Sequence, residues 1–379
     1  MSAFDPQEIK IGILGGGQLG RMLIQNAINF NLNISVMDPD PMAPCKNISQ
    51  FTKGSITDYD SVYRFGKDKD LITIEIENVN TDALKKLQKE GVKIYPQPEI
   101  IELIMDKGLQ KMFYQRHNIP TADFFLIEKK EEINKYAEFF PFFQKLRKGG
   151  YDGKGVVKLL NPQKLEKAFN ESSVLERLVE CEKEISVIVA RNENGETKCF
   201  PAVECEFSDE ANLVEFLLSP ANLKKHEEKE AYSIAIRVAE KLNIIGLLAV
   251  ELFLTKDGKI LVNEIAPRPH NSGHHTIEAN LISQFEQTWR AILNLPLGET
   301  AIIKPSVMVN LLGEKGFEGP AKYKGFDDVI KFSGVYIHLY GKTTTKPFRK
   351  MGHVTIMDDD LIKARQKAKS VKDILKVIS

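Results

Sequence analysis

The first hundred residues alternate between short apolar runs and stretches in which apolar residues recur every three or four positions. The apolar runs lie at 9–14, 34–37, 71–76 and 92–95, and the helical patterns lie at 21–29 and 81–90. Short apolar runs predict buried strands, and their alternation with helices predicts a doubly wound domain on a parallel sheet. Two prolines, Pro96 and Pro98, mark the end of this domain near residue 100.

The pattern changes in the next two hundred residues. A helix is predicted at about 99–117, and strands and helices are expected to alternate from 120 to 195. Strands are predicted at 143–146, 156–159, 187–190, 199–205, 246–254 and 259–265, and a helix at 283–293. The later strands are expected to be largely antiparallel, because Lys256-Asp257-Gly258 is a two-strand hairpin signal.

A crossover linker at 294–305 precedes a small region that is strand-rich to about residue 357 and ends in a basic helix. We therefore expect an α/β and α+β protein with three domains, at 1–100, 101–293 and 294–379. A chain of 379 residues is long enough for two or three domains of about 100–200 residues each.

Composition excludes several classes of protein. Apolar residues make up 42% of the chain and charged residues 27%, which is typical of soluble globular proteins. The formal net charge is zero, so no overall field attracts nucleic acid or a membrane, and no apolar run approaches a membrane span. The first ten residues lack the apolar core of a signal peptide. The four cysteines form no Cys-x-x-Cys pair, which favours reduced thiols in a cytoplasmic protein, with no metal role.

The loop at 15–20, Gly-Gly-Gly-Gln-Leu-Gly, lies between the first predicted strand and the first predicted helix. It matches the Gly-x-Gly-x-x-Gly pattern of dinucleotide-binding domains, and Asp38 lies near the distance expected of a ribose-binding acid. A tight turn that packs a helix on a strand has the same glycines, so the pattern is weak by itself. Such a loop can also hold a phosphorylated sugar, since N–H groups at a helix N-terminus favour any anion.

A second glycine-rich loop, Gly-Gly-Tyr-Asp-Gly-Lys-Gly, occupies residues 149–155 between two predicted strands. Such a loop can fold over phosphates and present Lys154 to them. The alternative is a flexible hairpin tip with an exposed lysine. Lys145 precedes the loop at the end of a strand, where a lysine that points inward needs an anionic partner.

Two carboxylates, Glu251 and Glu264, follow apolar runs on the two strands of the predicted hairpin. Carboxylates that face each other across a hairpin repel unless a cation lies between them. Oxygen ligands suit Mg²⁺, which also binds substrate phosphates, and Asn263 adds a neutral oxygen. The alternative is that both carboxylates occupy solvent-facing positions of their strands.

Residues 263–276 read Asn-Glu-Ile-Ala-Pro-Arg-Pro-His-Asn-Ser-Gly-His-His-Thr and combine donors, acceptors and a candidate cation ligand in one rigid turn. Zinc is disfavoured, because His270, His274 and His275 have no standard zinc spacing and no cysteine nearby. These histidines are expected to bind substrate through hydrogen bonds or to organise the loop.

A late basic cluster contains Lys342, Arg349 and Lys350. A run of charges is usually a solvated surface. Here glycine and aromatic residues lie between the basic residues, which favours an anion site.

Five motifs occur in the order found in one known family. They are Gly-Gly-Gly-Gln-Leu-Gly-Arg-Met, Glu-Ile-Glu-Asn-Val at 75–79, Gly-Gly-Tyr-Asp-Gly-Lys-Gly, Asn-Glu-Ile-Ala-Pro-Arg-Pro-His-Asn-Ser-Gly-His, and Lys-Met-Gly-His at 350–353. With these motifs the chain resembles the ATP-grasp superfamily and, within it, the 5-(carboxyamino)imidazole ribonucleotide synthases of purine biosynthesis. The resemblance runs from about residue 9 to 357, and the segment at 263–274 is its most specific part.

The resemblance implies an ATP-grasp fold, in which a central domain of two lobes binds ATP. The family consists of ATP-dependent carbon–nitrogen ligases that use ATP and Mg²⁺ to activate bicarbonate as carboxyphosphate. This intermediate delivers CO₂ to the exocyclic amine of 5-aminoimidazole ribonucleotide, and ADP and phosphate are released. The resemblance also suggests a homodimer.

The resemblance assigns roles by motif position. ATP binding falls to Lys107, Lys145, Gly150, Tyr151, Asp152, Gly153, Lys154, Gly155, Val156, Glu176, Arg177, Leu178, Val179, Glu184, Phe207, Asn263 and Glu264. Mg²⁺ binding falls to Glu251 and Glu264. Binding of the ribonucleotide and bicarbonate falls to Gln18, Leu19, Glu75, Asn271, Lys342, Arg349 and Lys350. The candidate catalytic residues are Tyr151, Asp152, Lys154, Arg268, His270, Asn271, Lys342 and Arg349.

Two positions depart from the family pattern. Lys107 stands where the family usually has arginine, so a point charge replaces a bidentate fork. Phe207 stands where the family usually has histidine, and it is expected either to stack on adenine or simply to pack.

Three rival functions remain open at this point. A formate-dependent glycinamide ribonucleotide transformylase of the same architecture would more often carry aspartate at Asn271. An NAD-binding oxidoreductase is supported only by the loop at 15–20 and Asp38. A non-catalytic nucleotide-binding module is disfavoured by the Glu251/Glu264 pair and Lys154.

Overall fold

The structure is a computed structural model, and it describes residues 5–150, 155–207 and 214–379. The first sheet contains β1 (Lys10–Leu14), β2 (Asn33–Asp38), β3 (Gln50–Lys53), β4 (Leu71–Ile74) and β5 (Lys93–Ile94). Helices α1 (Gln18–Ala27), α2 (Tyr59–Gly66) and α3 (Thr81–Lys89) and a 3₁₀ turn at Ile28–Phe30 connect these strands. The strands are parallel and lie in the order β3–β2–β1–β4–β5, which confirms the doubly wound domain. The apolar pattern did not indicate β3 or α2.

The helix predicted at 99–117 is instead two helices, α4 (Pro98–Met105) and α5 (Lys107–Arg116). The prediction is wrong because Asp106 has an extended backbone, with φ −114° and ψ 106°. Its carboxylate caps α5 by accepting hydrogen bonds from two backbone N–H groups in the first turn. Arg147 holds the same carboxylate through Nε at 2.9 Å and Nη2 at 2.8 Å. The break thereby fixes the direction of α5.

A four-stranded antiparallel sheet follows. Its strands are β6 (Phe124–Ile127), β7 (Phe142–Leu146), β8 (Val156–Leu159) and β9 (Ser173–Arg177), in the order β6–β9–β7–β8. Strands β7 and β8 flank the second glycine-rich loop, as predicted. The expected alternation of strands and helices over 120–195 is wrong, because the helical structure in the described part of that stretch is one 3₁₀ helix, Lys130–Phe139. Antiparallel neighbours can be joined by short turns, so they need no crossover helices.

Among the described residues, the largest sheet has nine strands. They are β10 (Cys181–Arg191), β11 (Thr197–Cys199), β12 (Val203–Phe207), β13 (Val214–Ser219), β14 (Gly246–Thr255), β15 (Ile260–Ala266), β16 (Ser306–Leu312), β19 (Val335–Leu339) and β21 (Lys350–Met357). Their order is β15–β14–β10–β12–β13–β16–β21–β19, with β11 beside β10. These pairings are antiparallel, as expected.

Two features of this sheet differ from the pattern-based expectations. The strand predicted at 199–205 is divided into β11 and β12, because Pro201 between them has no N–H for a strand ladder. Strand β13 pairs with β16, so the sheet continues across the expected domain boundary at 293/294. The three domain ranges remain a proposal.

The remaining helices are α6 (Lys225–Leu242), α7 (Thr276–Ala279), α8 (Gln284–Ile292), α9 (Phe326–Val329) and α10 (Leu361–Ile374), with a 3₁₀ turn at Asn271–Gly273. Two small strand pairs are β17 (Gly319–Pro320) with β20 (Thr344–Thr345), and β18 (Lys322–Lys324) with β22 (Lys376–Ile378). The helices predicted at 283–293 and at the basic end of the chain are confirmed, whereas β22 was not predicted. Within the described ranges, no helix is long and apolar enough to cross a membrane.

One apolar cluster joins three regions of the chain. Trp289 on α8 is fully buried, and its Nε1 donates to the backbone oxygen of Leu23 on α1 at 3.0 Å. Phe285 on α8 and Tyr340, which follows β19, belong to the same cluster. Because α1 begins at the first glycine-rich loop, this cluster holds that loop in place relative to the largest sheet.

We expect Trp289→Phe to keep most of the packing but lose the hydrogen bond to Leu23, at a cost of about 1 kcal/mol in unfolding free energy. Trp289→Ala should cost about 3–5 kcal/mol, because it leaves a cavity. Chemical unfolding followed by circular dichroism measures both, since Trp289 is the single tryptophan of the chain. Equal stability of the three proteins would contradict an anchoring role for Trp289.

Candidate active site

The first glycine-rich loop is closed by the protein's own carboxylates. Gly17 N and Leu19 N donate to the carboxylate of Glu75, which follows β4, at 2.8 and 3.1 Å. Gly16 N donates to Oδ2 of Asp38, at the end of β2, at 2.7 Å. A methyl group added to Gly17 would lie 2.4 Å from a Glu75 oxygen, so the close approach requires glycine.

This closure argues against dinucleotide binding. In a dinucleotide-binding domain, N–H groups at the start of the first helix bind a pyrophosphate, and the acid after the second strand binds ribose. Here Glu75 accepts from the first N–H groups of α1, and Asp38 accepts from the loop. Burial raises the pKa of Glu75, and its two backbone hydrogen bonds oppose that shift. Leu19 contributes only its backbone to the loop, because its side chain is buried in the core.

The late basic cluster reaches the first glycine-rich loop. Lys342 Nζ donates to Gln18 Oε1 at 2.8 Å and to the backbone oxygen of Lys350 at 2.6 Å. Arg349 Nη1 donates to the backbone and hydroxyl oxygens of Thr344, at 2.8 Å in each case. The structure thus brings the side chain of Lys342 to Gln18 and to the backbone of Lys350, and their roles as ligand-binding residues stay predictions.

The loop after β15 contacts both halves of the candidate site. Arg268 Nε lies 2.9 Å from Oε1 of Glu77, two residues beyond the carboxylate that closes the glycine loop. His270 Nε2 lies 3.3 Å from Oε1 of Glu251 on β14. Asn271 is half-buried and begins the 3₁₀ turn that follows. Glu77 was part of a matched motif but was given no role by the sequence.

The expectation that Glu251 and Glu264 face each other is confirmed, because they are direct partners in the register of β14 and β15. Lys107 Nζ lies 2.5 Å from Glu264 Oε2 and lowers the pKa of Glu264 to about 2. Burial and the nearby charge of Glu264 raise the pKa of Glu251 to about 8. The pair therefore combines an ionised acid that is paired with lysine and an acid whose neutral form is favoured by burial and by its charged neighbour.

A buried carboxylate organises the lysines beside this pair. Glu176 on β9 is 2% exposed; its Oε1 accepts from Lys145 Nζ at 2.8 Å, and its Oε2 contacts Lys111 Nζ. Lys145 Nζ also donates to Asn263 Oδ1 at 2.9 Å. Burial would raise the pKa of Glu176, but the two lysines outweigh it and hold the pKa at about 2. The anionic partner expected for Lys145 is therefore present.

Lys111 is a member of this group that the sequence did not indicate. It lies one helical turn after Lys107 on α5, and this i, i+4 spacing was the signal available. Its ammonium also donates to Thr121 Oγ1 at 2.6 Å. Burial lowers the pKa of Lys111, and Glu176 opposes that shift.

The second glycine-rich loop is partly outside the described residues. Tyr151, Asp152, Gly153 and Lys154 lie there, so their predicted roles stay predictions. Gly150, Gly155 and Val156 border the gap at the ends of β7 and β8. Lys145, on β7, is directly opposite Val156 in the register of these strands, so the loop emerges beside the Lys145–Glu176 pair.

The other expected nucleotide-binding residues lie on or directly after strands β9, β10 and β12. Arg177 ends β9, and Leu178 and Val179 follow it at the surface. Burial raises the pKa of Glu184 on β10, Lys145 opposes the shift and Glu264 adds to it, which places Glu184 within electrostatic reach of both. Phe207 ends β12 and is 38% exposed, so its ring is accessible at this edge.

His274 and His275 lie in the protein interior. Both are buried, and burial lowers the pKa of His275 to about 3 and that of His274 well below the usual range. Gln284 Nε2 lies 3.1 Å from His274 Nδ1. Across the described ranges, no group of three or more histidines, cysteines and acids is arranged to hold a metal ion. Neutral buried rings of this kind fit the role of organising the loop.

Comparisons with known proteins agree with this arrangement. Family models match in three consecutive segments: the ribonucleotide synthetase preATP-grasp domain at residues 9–105, the ATP-grasp domain at 112–285, and the phosphoribosylaminoimidazole carboxylase C-terminal domain at 306–367. The N5-carboxyaminoimidazole ribonucleotide synthase of Bacillus subtilis is 36% identical over 355 residues, which cover 92% of this chain and 91% of that protein.

The chain belongs to the N5-carboxyaminoimidazole ribonucleotide synthase family. It is therefore an ATP-grasp ligase, and both the resemblance and the fold predicted from it are confirmed. The synthase spans 65% of the chloroplastic phosphoribosylaminoimidazole carboxylase of Vigna aconitifolia, to which it is 36% identical over 366 residues. Because the family consists of ATP-grasp ligases, we reject the two rival functions of an NAD-binding oxidoreductase and a non-catalytic nucleotide-binding module.

Solved structures agree over nearly the whole synthase. The N5-carboxyaminoimidazole ribonucleotide synthetase of Thermotoga maritima superposes with a TM-score of 0.90 at 43% identity, covering 98% of this chain and 99% of that one. The Aspergillus clavatus enzyme, in complex with ADP and 5-aminoimidazole ribonucleotide, has a TM-score of 0.87 at 31% identity, covering 96% of this chain and 98% of that one.

We expect Glu176→Gln to destabilise the synthase by about 3–5 kcal/mol at neutral pH, because two buried lysines lose their counter-charge. The folded-state pKa of Glu176, about 2, lies below the roughly 4.3 of an unfolded glutamate. The stabilisation is therefore complete above about pH 4.5 and fades as the pH falls towards 2. Unfolding of the variant and the original protein between pH 3 and 7 measures this difference.

The exposed Glu171→Gln is a matched control and should show no such pH dependence. A cost of Glu176→Gln that stayed constant from pH 7 to 3 would show that Glu176 is not held ionised by its lysines.

Proposed function

We propose that this synthase converts 5-aminoimidazole ribonucleotide, bicarbonate and ATP to N5-carboxyaminoimidazole ribonucleotide, ADP and phosphate in de novo purine biosynthesis. Relatives that match over most of the chain carry this activity in their names, and the Aspergillus clavatus relative binds ADP and 5-aminoimidazole ribonucleotide. The observation that carries the proposal is the loop after β15. Arg268 pairs with Glu77 on one side of it, and His270 contacts Glu251 on the other.

The proposed chemistry has two steps. A bicarbonate oxygen attacks the γ-phosphorus of ATP, ADP leaves, and carboxyphosphate forms. Carboxyphosphate then breaks into CO₂ and phosphate, and the exocyclic amine nitrogen of the ribonucleotide bonds to the carbon and loses a proton. Because carboxyphosphate is short-lived in water, both substrates have to be bound and water excluded before it forms. A protein nucleophile is not required, so positioning and charge neutralisation do the catalytic work.

On the nucleotide side, Lys107 and Lys145 are the cations that we assign to the phosphates of ATP. Lys145 is held by Glu176 and Asn263 at the base of the second glycine-rich loop, which favours a fixed position for its charge. The wider ATP-binding set remains the one predicted, with Gly150, Gly155, Val156, Arg177, Leu178, Val179, Glu184 and Phe207 beside these residues. Tyr151, Asp152, Gly153 and Lys154 complete the set as a prediction.

Mg²⁺ belongs to the proposal because the carboxylate pair suits it. Glu251 and Glu264 are in direct register, and burial beside a second carboxylate raises the pKa of Glu251, a shift that a bound cation would oppose. Mg²⁺ in phosphate-transferring sites is usually held by one or two carboxylates together with substrate phosphates. We assign the ion to Glu251 and Glu264, with an oxygen from Asn263. When bound, it neutralises charge on the phosphates.

On the ribonucleotide side, we assign the phosphate to the late basic cluster. Lys342 donates to Gln18 and to the backbone oxygen of Lys350, and Glu75 accepts a hydrogen bond from Gly17 in the same loop as Gln18. The residues assigned to the ribonucleotide and bicarbonate are Gln18, Leu19 through its backbone, Glu75, Asn271, Lys342, Arg349 and Lys350. Arg268 and His270, with Tyr151 and Asp152 as predictions, are assigned to the place where the two substrates meet. A homodimer and a cytoplasmic location are also proposed, from the resemblance and from the composition.

The reaction is tested by ADP release from ATP with each candidate cosubstrate. We expect release that requires 5-aminoimidazole ribonucleotide and bicarbonate together and that stops when Mg²⁺ is chelated. Formate with glycinamide ribonucleotide is the matched control, because the transformylase rival would use that pair. Equal stimulation by the control pair would move the assignment to the transformylase.

The assignment of the basic cluster is tested by Lys342→Ala and Arg349→Ala. A charged hydrogen bond to phosphate contributes about 1.5–3 kcal/mol, so each variant should raise KM for the ribonucleotide about ten- to a hundredfold. KM for ATP should change little. Steady-state kinetics with each substrate varied in turn separates the two effects, and Lys363→Ala, at an exposed position on α10, is the control. If Arg349→Ala weakened ATP binding instead, the basic cluster would belong to the nucleotide.

A further inference from the structure

Lys111 is a buried cation that forms an ion pair with Glu176. It is 4% exposed, and its ammonium contacts Oε2 of Glu176 and donates to Thr121 Oγ1. The Thr121 hydroxyl in turn donates to the backbone oxygen of Val262 on β15 at 2.7 Å. At this depth the ammonium is removed from solvent, and Glu176 is the group that joins it to Lys145.

Glu176 is shared between two lysines that differ in position. Lys145 pairs with Oε1 of Glu176 at the base of the second glycine-rich loop, and its side chain is 14% exposed. Lys111 pairs with the other oxygen, Oε2 of Glu176, and is more deeply buried than Lys145. The group therefore has two positive charges and one negative charge, and its excess positive charge lies on the side of Lys145.

We propose that Lys111 is a positioning residue for the nucleotide site: it neutralises Glu176, so that Glu176 can hold Lys145 in place without cancelling its charge. The inference rests on the proposed function in one respect, namely that the anion beside Lys145 is an adenine nucleotide phosphate. It adds a residue that contacts no substrate but sets the charge that the phosphate meets.

The physical reason is the low dielectric around Glu176. Charges that are removed from water interact strongly with their neighbours, so a carboxylate with one lysine forms a neutral pair that attracts a further anion weakly. With a second lysine on its other oxygen, the same carboxylate still orients Lys145, and the net charge of the group remains +1. A single lysine without the carboxylate would have the charge but lack the orientation that Glu176 and Asn263 impose.

The test is equilibrium binding of Mg·ADP by calorimetry, without ribonucleotide or bicarbonate. Lys111→Met should weaken ADP binding about tenfold or more, which is the scale of a lost charge-assisted hydrogen bond. The double variant Lys111→Met/Glu176→Gln should bind ADP more tightly than Lys111→Met. In this variant Lys145 is the one charged member of the group, so the net charge is again +1. The side-chain oxygen of the introduced glutamine can still accept a hydrogen bond from Lys145. Lys111→Arg should retain binding, because it retains the charge.

A merely structural role for Lys111 predicts a different outcome. The double variant would then bind ADP no better than Lys111→Met, and that result would overturn the proposal, as would unchanged binding in folded Lys111→Met. If Lys111→Met fails to fold, the double variant decides alone, because it removes one cation and one anion together. Lys331→Met, which breaks the exposed Lys331–Asp328 pair at 2.8 Å at the end of α9, is the control and should leave ADP binding unchanged.

The proposed function and the positioning role of Lys111 can each fail without the other. If the original protein binds ADP but shows no turnover with 5-aminoimidazole ribonucleotide and bicarbonate, the proposed function fails and the binding test of Lys111 still stands. If turnover is as proposed but the charge-restoring double variant does not recover ADP binding, the inference about Lys111 fails alone.

Discussion

Two carboxylates, Glu251 and Glu264, lie directly opposite each other on β14 and β15, and the rest of the site is arranged around the need to balance them. Like charges on neighbouring strands destabilise a sheet unless cations approach from elsewhere. Lys107 on α5 supplies one cation, and the loop after β15 brings His270 to the other carboxylate. Both partners come from outside the hairpin, so the carboxylate pair ties helix, hairpin and loop into one structure.

The second constraint is that the two halves of the site belong to different regions of the chain. The first glycine-rich loop meets the late basic cluster through Gln18 and Lys342. Their relative position depends on the cluster that contains Trp289 and Tyr340, and on the continuation of the largest sheet from β13 into β16. A chain that carries out chemistry between two anionic substrates needs this rigidity, because misplacement by an ångström weakens positioning strongly.

Local patterns predicted much of this structure, and the failures have physical causes. The facing carboxylates followed from hairpin register, and the anionic partner of Lys145 followed from the cost of burying a lysine. The break at Asp106 was missed because the carboxylate is held by Arg147, 41 residues away, and no helical pattern contains that contact. Lys111 was missed for the same reason: an amphipathic helix shows which face is buried, but not which acid it will meet.

The glycine-rich loop at 15–20 shows how one pattern can serve opposite electrostatic purposes. In a dinucleotide-binding domain the N-terminus of the helix is left open for a phosphate. Here Glu75 occupies that position, so the loop presents a carboxylate where the same sequence pattern elsewhere presents positive potential. A phosphate near this loop must then be bound by side-chain cations, and Lys342 with the neighbouring basic residues is placed to supply them. The closed loop leaves its helix N-terminus unavailable to a phosphate, which is why the proposed ribonucleotide site relies on the late basic cluster instead.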